Sequence, residues 1–394
     1  MTGRGNSIAK EAKATVLYRM QRVFFICLVV FVYGSSSSAQ VWPSQFEYVR
    51  SGLDWYTIET EHFKVHFHAD SSGEGSSRSA QVTARIAEEI YGPITSLYEY
   101  EPGGKVSIVL IDYLDYSNGA AYFFDNKIDI WAPALESPLR GAHAWLRNVI
   151  THEFTHIVQV QKTMRGTRRR PFYYLQYLDY EDVRRPDVLY GYPDAIASYP
   201  VPILNNPAWF AEGTAQYMRD GLSYDTWDSH RDMLLRTKML AGEGFSLDEM
   251  GTFSSKTSLQ REQVYNHGFA FTNYLADQYG EEILRVISDE LSSMTNWNIE
   301  RAIADAVDEP ADDVFGRWQT NLAAEYERRT RQIRANLVEG ELLEAEGFTN
   351  LYPAYSPDGT RLAYISNKGQ DYNILALYVR DLTTGEEQSF RLEG

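Results

Sequence analysis

Thr151-His152-Glu153-Phe154-Thr155-His156 places two histidines four positions apart, with a glutamate directly after the first. On a helix this spacing puts both imidazoles on one face, where they can bind a single metal ion together. At about 100° per residue the two lie only about 40° apart around the axis. Leu146, Ile150, Phe154, Ile157 and Val158 form an apolar stripe on nearly the opposite side. The stripe is expected to pack on a core while the imidazoles face a cleft. Glu153 sits beside the histidine face, within reach of water at the metal without itself binding the metal, which is where a general base is needed. The pattern also arises by chance in long chains, so alone it establishes no site.

A second stretch, Trp209-Phe210-Ala211-Glu212-Gly213, adds weight to the first. Catalytic zinc usually takes three protein ligands and keeps a fourth position for water. Glu212 follows His156 by 56 residues. It falls on a predicted helix with Asn206 as N-cap, Pro207 at the first helical position and Gly221 at the end. A solvated helix carboxylate is the ordinary reading of such a glutamate; paired with the two histidines, it becomes a candidate third ligand.

The two stretches together resemble the gluzincin metallopeptidases, in particular the peptidase MA-like branch related to aminopeptidase N and thermolysin. The resemblance runs from about Trp55 to about Tyr279. It implies one Zn²⁺ held by His152, His156 and Glu212, with Glu153 as catalytic base and a peptide or protein as substrate. It also implies an α+β, zincin-like domain: a small mixed sheet, the active-site helix, then a helical lobe. Tyr265-Asn266-His267-Gly268 is similar to the Y-x-K-G segment of the aminopeptidase N family, whose tyrosine stabilises the oxyanion. Here His267 replaces the lysine, so Tyr265 and His267 are both candidate donors to developing negative charge. The alternative for Tyr265 is simple packing on Phe269, four residues on.

With 394 residues the chain is long enough for more than one domain. A net charge of −17 argues against a nucleic-acid partner, which needs basic clusters. The dense basic run Arg165-Gly166-Thr167-Arg168-Arg169-Arg170 is read as a solvated loop after the histidine helix. Val23 to Tyr33 is an apolar run of signal-peptide length, preceded by Arg19 and Arg22 and followed by the small-residue site Ser37-Ser38-Ala39. Residues 1–39 are therefore expected to be an N-terminal extension and signal peptide, with Met1 and Met20 as alternative starts. Export to the periplasm or the extracellular and cell-envelope space follows, with no stable membrane span after cleavage. The single cysteine, Cys27, lies inside the apolar run, so cleavage leaves no thiol.

Residues 40–340 are read as the catalytic domain. Phe63, Val65 and Phe67 alternate with His62, Lys64, His66 and His68, giving a half-buried strand with surface imidazoles. A helix over Ala80 to Tyr100 is expected to break at Gly92-Pro93. Val106 to Asp112 and Ile128 to Trp131 read as strands, with Asn118-Gly119 as a turn between them. By position and resemblance, Lys127 to Pro133 is the expected substrate-binding sheet edge. Residues 163–205 show no long periodicity and read as a long irregular insertion or short broken helices. Val264, Phe271, Tyr274 and Leu275 share a face of a helix closed by Gly280, and amphipathic helices are expected over Glu281 to Leu291 and Val314 to Val338.

The pattern changes near Gly340. Tyr355-Ser356-Pro357-Asp358-Gly359 leads into alternating strands at Arg361 to Ser366 and Ala376 to Val379, with a turn at Thr383-Thr384-Gly385. Residues 341–394 resemble one blade of a TolB-like β-propeller. Propellers close with about four to eight blades, so further blades, in a longer chain or a partner, are expected. A protein partner through the propeller is a further expectation. The rival to a peptidase is an interaction or scaffold protein with a catalytically silent zincin domain; another is a zinc hydrolase of a non-peptide bond.

Overall fold

The computed structural model describes residues 53–69, 75–113, 116–134, 144–164, 172–178, 195–201, 205–217, 227–293, 295–347, 349–369 and 374–391. The signal-peptide reading and the basic run at Arg165–Arg170 lie outside these residues. Among them the fold is mixed α+β: a five-stranded sheet, a set of helices, a two-stranded antiparallel sheet and a C-terminal four-stranded antiparallel sheet.

The first sheet contains β1 (Asp54–Glu59), β2 (Phe63–Ala69), β3 (Val106–Ile111), β4 (Asn118–Tyr122) and β5 (Lys127–Trp131), in the order β1-β2-β3-β5-β4. β2, β3 and β5 run parallel, while β1 and β4 are antiparallel edges. The alternation read in β2 holds: Phe63, Val65 and Phe67 are buried, as are Val106, Ile108 and Leu110 on β3 and Ile128 and Ile130 on β5. Two expectations are corrected here. Asn118-Gly119 opens a strand instead of making a turn, and β5 is interior because β4 pairs along its outer side. The sheet edge beside the histidine helix is therefore β4, not Lys127 to Pro133.

The histidines of β2 are also less superficial than their alternation implies. His62 Nδ1 lies 2.7 Å from Glu88 Oε2 and its ring stacks on Tyr91; His66 Nδ1 lies 2.9 Å from Thr57 Oγ1. His68 is buried, in an ion pair with Asp112, which also accepts the Ser76 hydroxyl. Helix α1 (Ser77–Tyr98) passes through Pro93 without a break and packs on β2 and on α2 (Trp145–Lys162), the histidine helix.

Helix α2 buries its expected stripe: Ile150, Phe154, Ile157 and Val158 are fully enclosed and Leu146 partly so. Each such side chain contributes about 1.5–3 kcal/mol relative to exposure. The polar residues beyond the histidines are tied down on every side. Gln159 Oε1 accepts from Asn206 Nδ2 at 2.7 Å, and its amide nitrogen donates to Ser288 at 3.3 Å. Gln161 donates to Asn126 Oδ1 at 2.6 Å and to the Phe123 carbonyl, and accepts from Tyr100 at 3.1 Å. These bonds hold the half of the helix that follows His156.

Residues 163–205 include strands β6 (Phe172–Leu178) and β7 (Ala195–Val201), an antiparallel pair where an irregular insertion or short broken helices were expected. The helical lobe follows: α3 (Ala208–Gln216), α4 (Ser229–Leu240), α5 (Leu247–Met250), α6 (Ser258–Tyr279), α7 (Ile283–Ser292), α8 (Ile299–Val307) and α9 (Ala311–Ala335). Pro207, not Asn206, occupies the N-cap of α3, leaving Asn206 for the bond to α2; α3 ends at Gln216, ahead of Gly221, which lies outside the described residues. A Thr257/Gln260 capping box starts α6 three residues before Arg261, and Gly280 at φ +88° closes it. The core runs without interruption from the sheet through Phe154 and Trp209 to Phe271 and Trp318.

The crossing of α3 and α6 depends on two glycines. A Cβ on Gly268 would lie 2.4 Å from the Trp209 carbonyl oxygen, and one on Gly213 would lie 2.5 Å from the Gly268 carbonyl oxygen. The glycine after Glu212 and the one after His267 thus let two backbones meet, and that contact sets where α3 presents its glutamate.

At the C-terminal end, β8 (Asn350–Tyr355), β9 (Arg361–Ser366), β10 (Ala376–Asp381) and β11 (Glu387–Phe390) form an antiparallel meander in the order β11-β10-β9-β8. The Asp-Gly and Thr-Gly turns are as expected: Gly359 and Gly385 have φ of +72° and +75°, and Asp381 accepts from the amides of Thr383 and Thr384.

Candidate metal centre

Helices α2 and α3 bring His152, His156 and Glu212 together. His152 Nε2 is 3.0 Å from Glu212 Oε2 and 3.0 Å from His156 Nε2, and His156 Nε2 is 3.3 Å from the same carboxylate oxygen. Three atoms carrying lone pairs converge on one point. Two imidazole nitrogens at that distance need a proton or a cation to relieve their repulsion. The donor set fits zinc: ligands at about 2.0–2.1 Å in a tetrahedron stand about 3.3 Å apart, close to the separations here. Among the described residues this is the group of histidine and carboxylate side chains with metal-ligand geometry.

The electrostatics are those of a buried, coupled set. Burial alone would raise the Glu212 carboxyl, but the facing imidazoles, His156 foremost, hold it well below the usual carboxylate range. Burial works against protonation of His156, and the Glu212 carboxylate outweighs it, so its pKa is raised. A divalent cation can take the place of the positive charge that these three groups otherwise share.

Glu153 is enclosed next to this triangle. Burial pushes its carboxyl up; His152 and His156 pull the other way, Glu212 adds to the rise, and the backbone of Ala121 on β4 supplies a stabilising hydrogen bond. β4 lies so close above it that a Cβ on Gly119 would fall 2.5 Å from Glu153 Oε1 and 2.5 Å from Val149 Cγ2. The edge strand therefore roofs the glutamate, and glycine is what permits it.

All of these groups line one cavity of about 480 Å³. Tyr265 on α6 lines it too, its ring centred 6.4 Å from that of His152 and stacked on Phe253 at 5.4 Å. The alternative partner, Phe269, instead stacks on Trp227. His267 is elsewhere. Two residues on from Tyr265, it is rotated about 200° around the helix and buried between Phe245 and Trp318, with Nδ1 at 3.0 Å from the Gln263 carbonyl. Burial lowers its pKa to about 4. It does not line the cavity, so its placement corrects the expectation that it donates to an oxyanion.

Asn148, Gln216 and Arg231 line the cavity without belonging to a motif read in the sequence. Asn148 and Gln216 sit one turn from His152 and Glu212, and Arg231 comes from α4. For the first two the i−4 and i+4 spacing from the ligands was a usable signal; for Arg231, on a helix that had no clear pattern, there was none.

No family model matches the chain. Among curated proteins, the Tol-Pal system protein TolB of Hahella chejuensis (strain KCTC 2396) is similar, 30% identical over 133 residues. That match takes in 31% of this chain and 29% of TolB, so the chain spans less than a third of that relative's length. No helix among the described residues is long and apolar enough to cross a membrane. The chain is thus similar to TolB over about a third of its length.

Proposed function

We propose that this chain is an exported zinc-dependent peptidase of the gluzincin kind, with a TolB-like propeller blade at residues 341–394. The observation that carries the proposal is the convergence of His152, His156 and Glu212 on one point, with Glu153 enclosed beside them in the same cavity. A zinc held by those three residues would polarise a scissile carbonyl and lower the pKa of water at the site to about 7. Glu153 takes a proton from the attacking water and returns it to the leaving amine. The Ala121 amide and the roof of β4 fix that carboxylate in one orientation. Tyr265, which lines the same cavity, donates to the oxygen that gains charge. The outer edge of β4 offers backbone donors and acceptors to an extended peptide.

The test is turnover of a mixed peptide library by the wild type and by Glu153→Ala, with zinc measured in both. Cleavage by the wild type and its loss in a zinc-replete Glu153→Ala would support the peptidase. Absence of cleavage by a zinc-replete wild type would turn the reading to its rival, an interaction or scaffold protein.

A further inference from the structure

The segments that carry the three ligands are also joined by a side-chain hydrogen bond outside the cavity. Gln159, fully buried, lies nearly one turn after His156 on α2 and does not line the cavity. Its Oε1 accepts from Asn206 Nδ2 at 2.7 Å. Asn206 is half-buried and stands directly before Pro207, six residues ahead of Glu212. The nitrogen of the same Gln159 amide donates to Ser288 Oγ at 3.3 Å, and Ser288 donates to the Leu284 carbonyl at 2.7 Å. Helix α7 thus sets the orientation of the amide that receives Asn206.

The path from Asn206 to Glu212 is stiff. Pro207, with φ of −69°, is locked by its ring, and it restricts the residue before it to extended conformations. The amides of Phe210 and Ala211 both bond to the Pro207 carbonyl at 3.1 Å, so the first turn of α3 moves with Pro207. On the other side, His152, His156 and Gln159 belong to one helix. The bond therefore fixes the start of the glutamate's helix against the helix of the imidazoles. Metal ligation tolerates errors of only about 0.2 Å in ligand distance, so a small shift of α3 matters more to the site than to the core around it. Gln161, two residues on and also buried, makes a useful contrast. Its amide nitrogen donates to the Phe123 carbonyl and to Asn126, between β4 and β5, instead of reaching towards α3.

We propose that Gln159 and Asn206 are positioning residues for the metal: their bond holds α3 against α2 so that the Glu212 carboxylate meets both imidazoles. The pair touches neither metal nor substrate. This rests on the reading of His152, His156 and Glu212 as a metal site and extends it to the support of the third ligand.

The test titrates the metal-free full chain with Co²⁺ against a competing chelator. The visible absorption of bound Co²⁺ reports the arrangement of its ligands, and melting of the metal-free proteins reports the fold. Gln159→Leu and Asn206→Ala should each weaken cobalt binding about tenfold and alter its spectrum. The double variant should bind no more weakly than the weaker single variant, because both remove the same bond. Gln161→Leu should melt below the wild type yet keep wild-type cobalt affinity and spectrum. Asn206→Ala, outside any helix, decides the matter if Gln159→Leu does not fold. Wild-type affinity and spectrum in Asn206→Ala, additive losses in the double variant, or an equal loss in Gln161→Leu overturns the positioning role and leaves the metal site standing. A folded wild type that binds no cobalt overturns the metal site and this inference with it.

Discussion

Replacing Gly268 by alanine tests whether the α3/α6 crossing positions the third ligand. The new Cβ would lie 2.4 Å from the Trp209 carbonyl oxygen, with the Trp209 carbonyl carbon and Cα at 3.1 and 3.2 Å. All three are backbone atoms, so no rotamer change relieves the contact. Reaching ordinary separation of about 3.4 Å requires α3 to move by about 1 Å, against a fully buried Trp209. Overpacking of this kind costs about 1–3 kcal/mol, or about 2–10 °C in melting temperature for a domain of this size. Glu212 lies one turn from Trp209, so the shift also spoils the 3.0 and 3.3 Å approaches of its carboxylate to the imidazoles. Zinc affinity should fall about 10- to 100-fold, as when a ligand loses its support. Melting of the zinc-free protein and competition with a chelating dye measure the two effects separately. Gly316 on α9 is the control: a Cβ there meets nothing within 4 Å, so Gly316→Ala should leave zinc affinity alone and raise stability by up to about 1 kcal/mol. If Gly268→Ala melted and bound zinc like the wild type, the crossing would not be the contact described here.

Other perturbations separate binding from chemistry. Gly119→Ala presses on the Glu153 carboxylate and displaces it by about 1 Å, so kcat should drop about 10²-fold while zinc per chain stays constant; equal loss of zinc would point to a general collapse of the site. Tyr265→Phe should lower kcat about 10²–10³-fold with zinc retained if the phenol serves the oxyanion, and unchanged turnover would reduce it to a ring stacked on Phe253. His267 has a folded pKa of about 4, below its unfolded value of about 6.5. The unfolded chain therefore binds the extra proton first, and stability falls as pH drops from about 6.5 to about 4, by at most about 3 kcal/mol. Urea unfolding of the zinc-free protein at pH 7.5 and pH 5 should show a steeper loss in the wild type than in His267→Phe; parallel losses would contradict the assignment.

What could be read from the sequence divides along physical lines. The α2 stripe and the alternation of β2 are local patterns, and burial follows them closely because each element has one face to hide. The two ligand helices were legible for the same reason, since spacing on a helix fixes which side chains share a face. Features set by tertiary contact were not. Asn118-Gly119 has the composition of a hairpin turn, yet it begins β4, where the glycine serves instead because a Cβ at position 119 would collide with Glu153 and Val149. Pro93 does not end α1, which is held by its packing on β2 and α2. The alternation of β2 placed His68 on the polar face, but Asp112 at the end of β3 and the overlying chain bury it. His267 matched a motif position in sequence, while its rotation around α6 carries it into the core. Gln216 could have been read from its i+4 spacing to Glu212, whereas Arg231 has no signature; only the folded arrangement brings it to the same cavity.

The central claim is that His152, His156 and Glu212 hold one zinc ion. It is tested most directly by zinc per chain, measured by atomic spectrometry on metal-replete, dialysed wild type beside Glu212→Ala. About one zinc in the wild type and far less in a folded Glu212→Ala is the expected result. A folded wild type that retains no zinc would contradict the account.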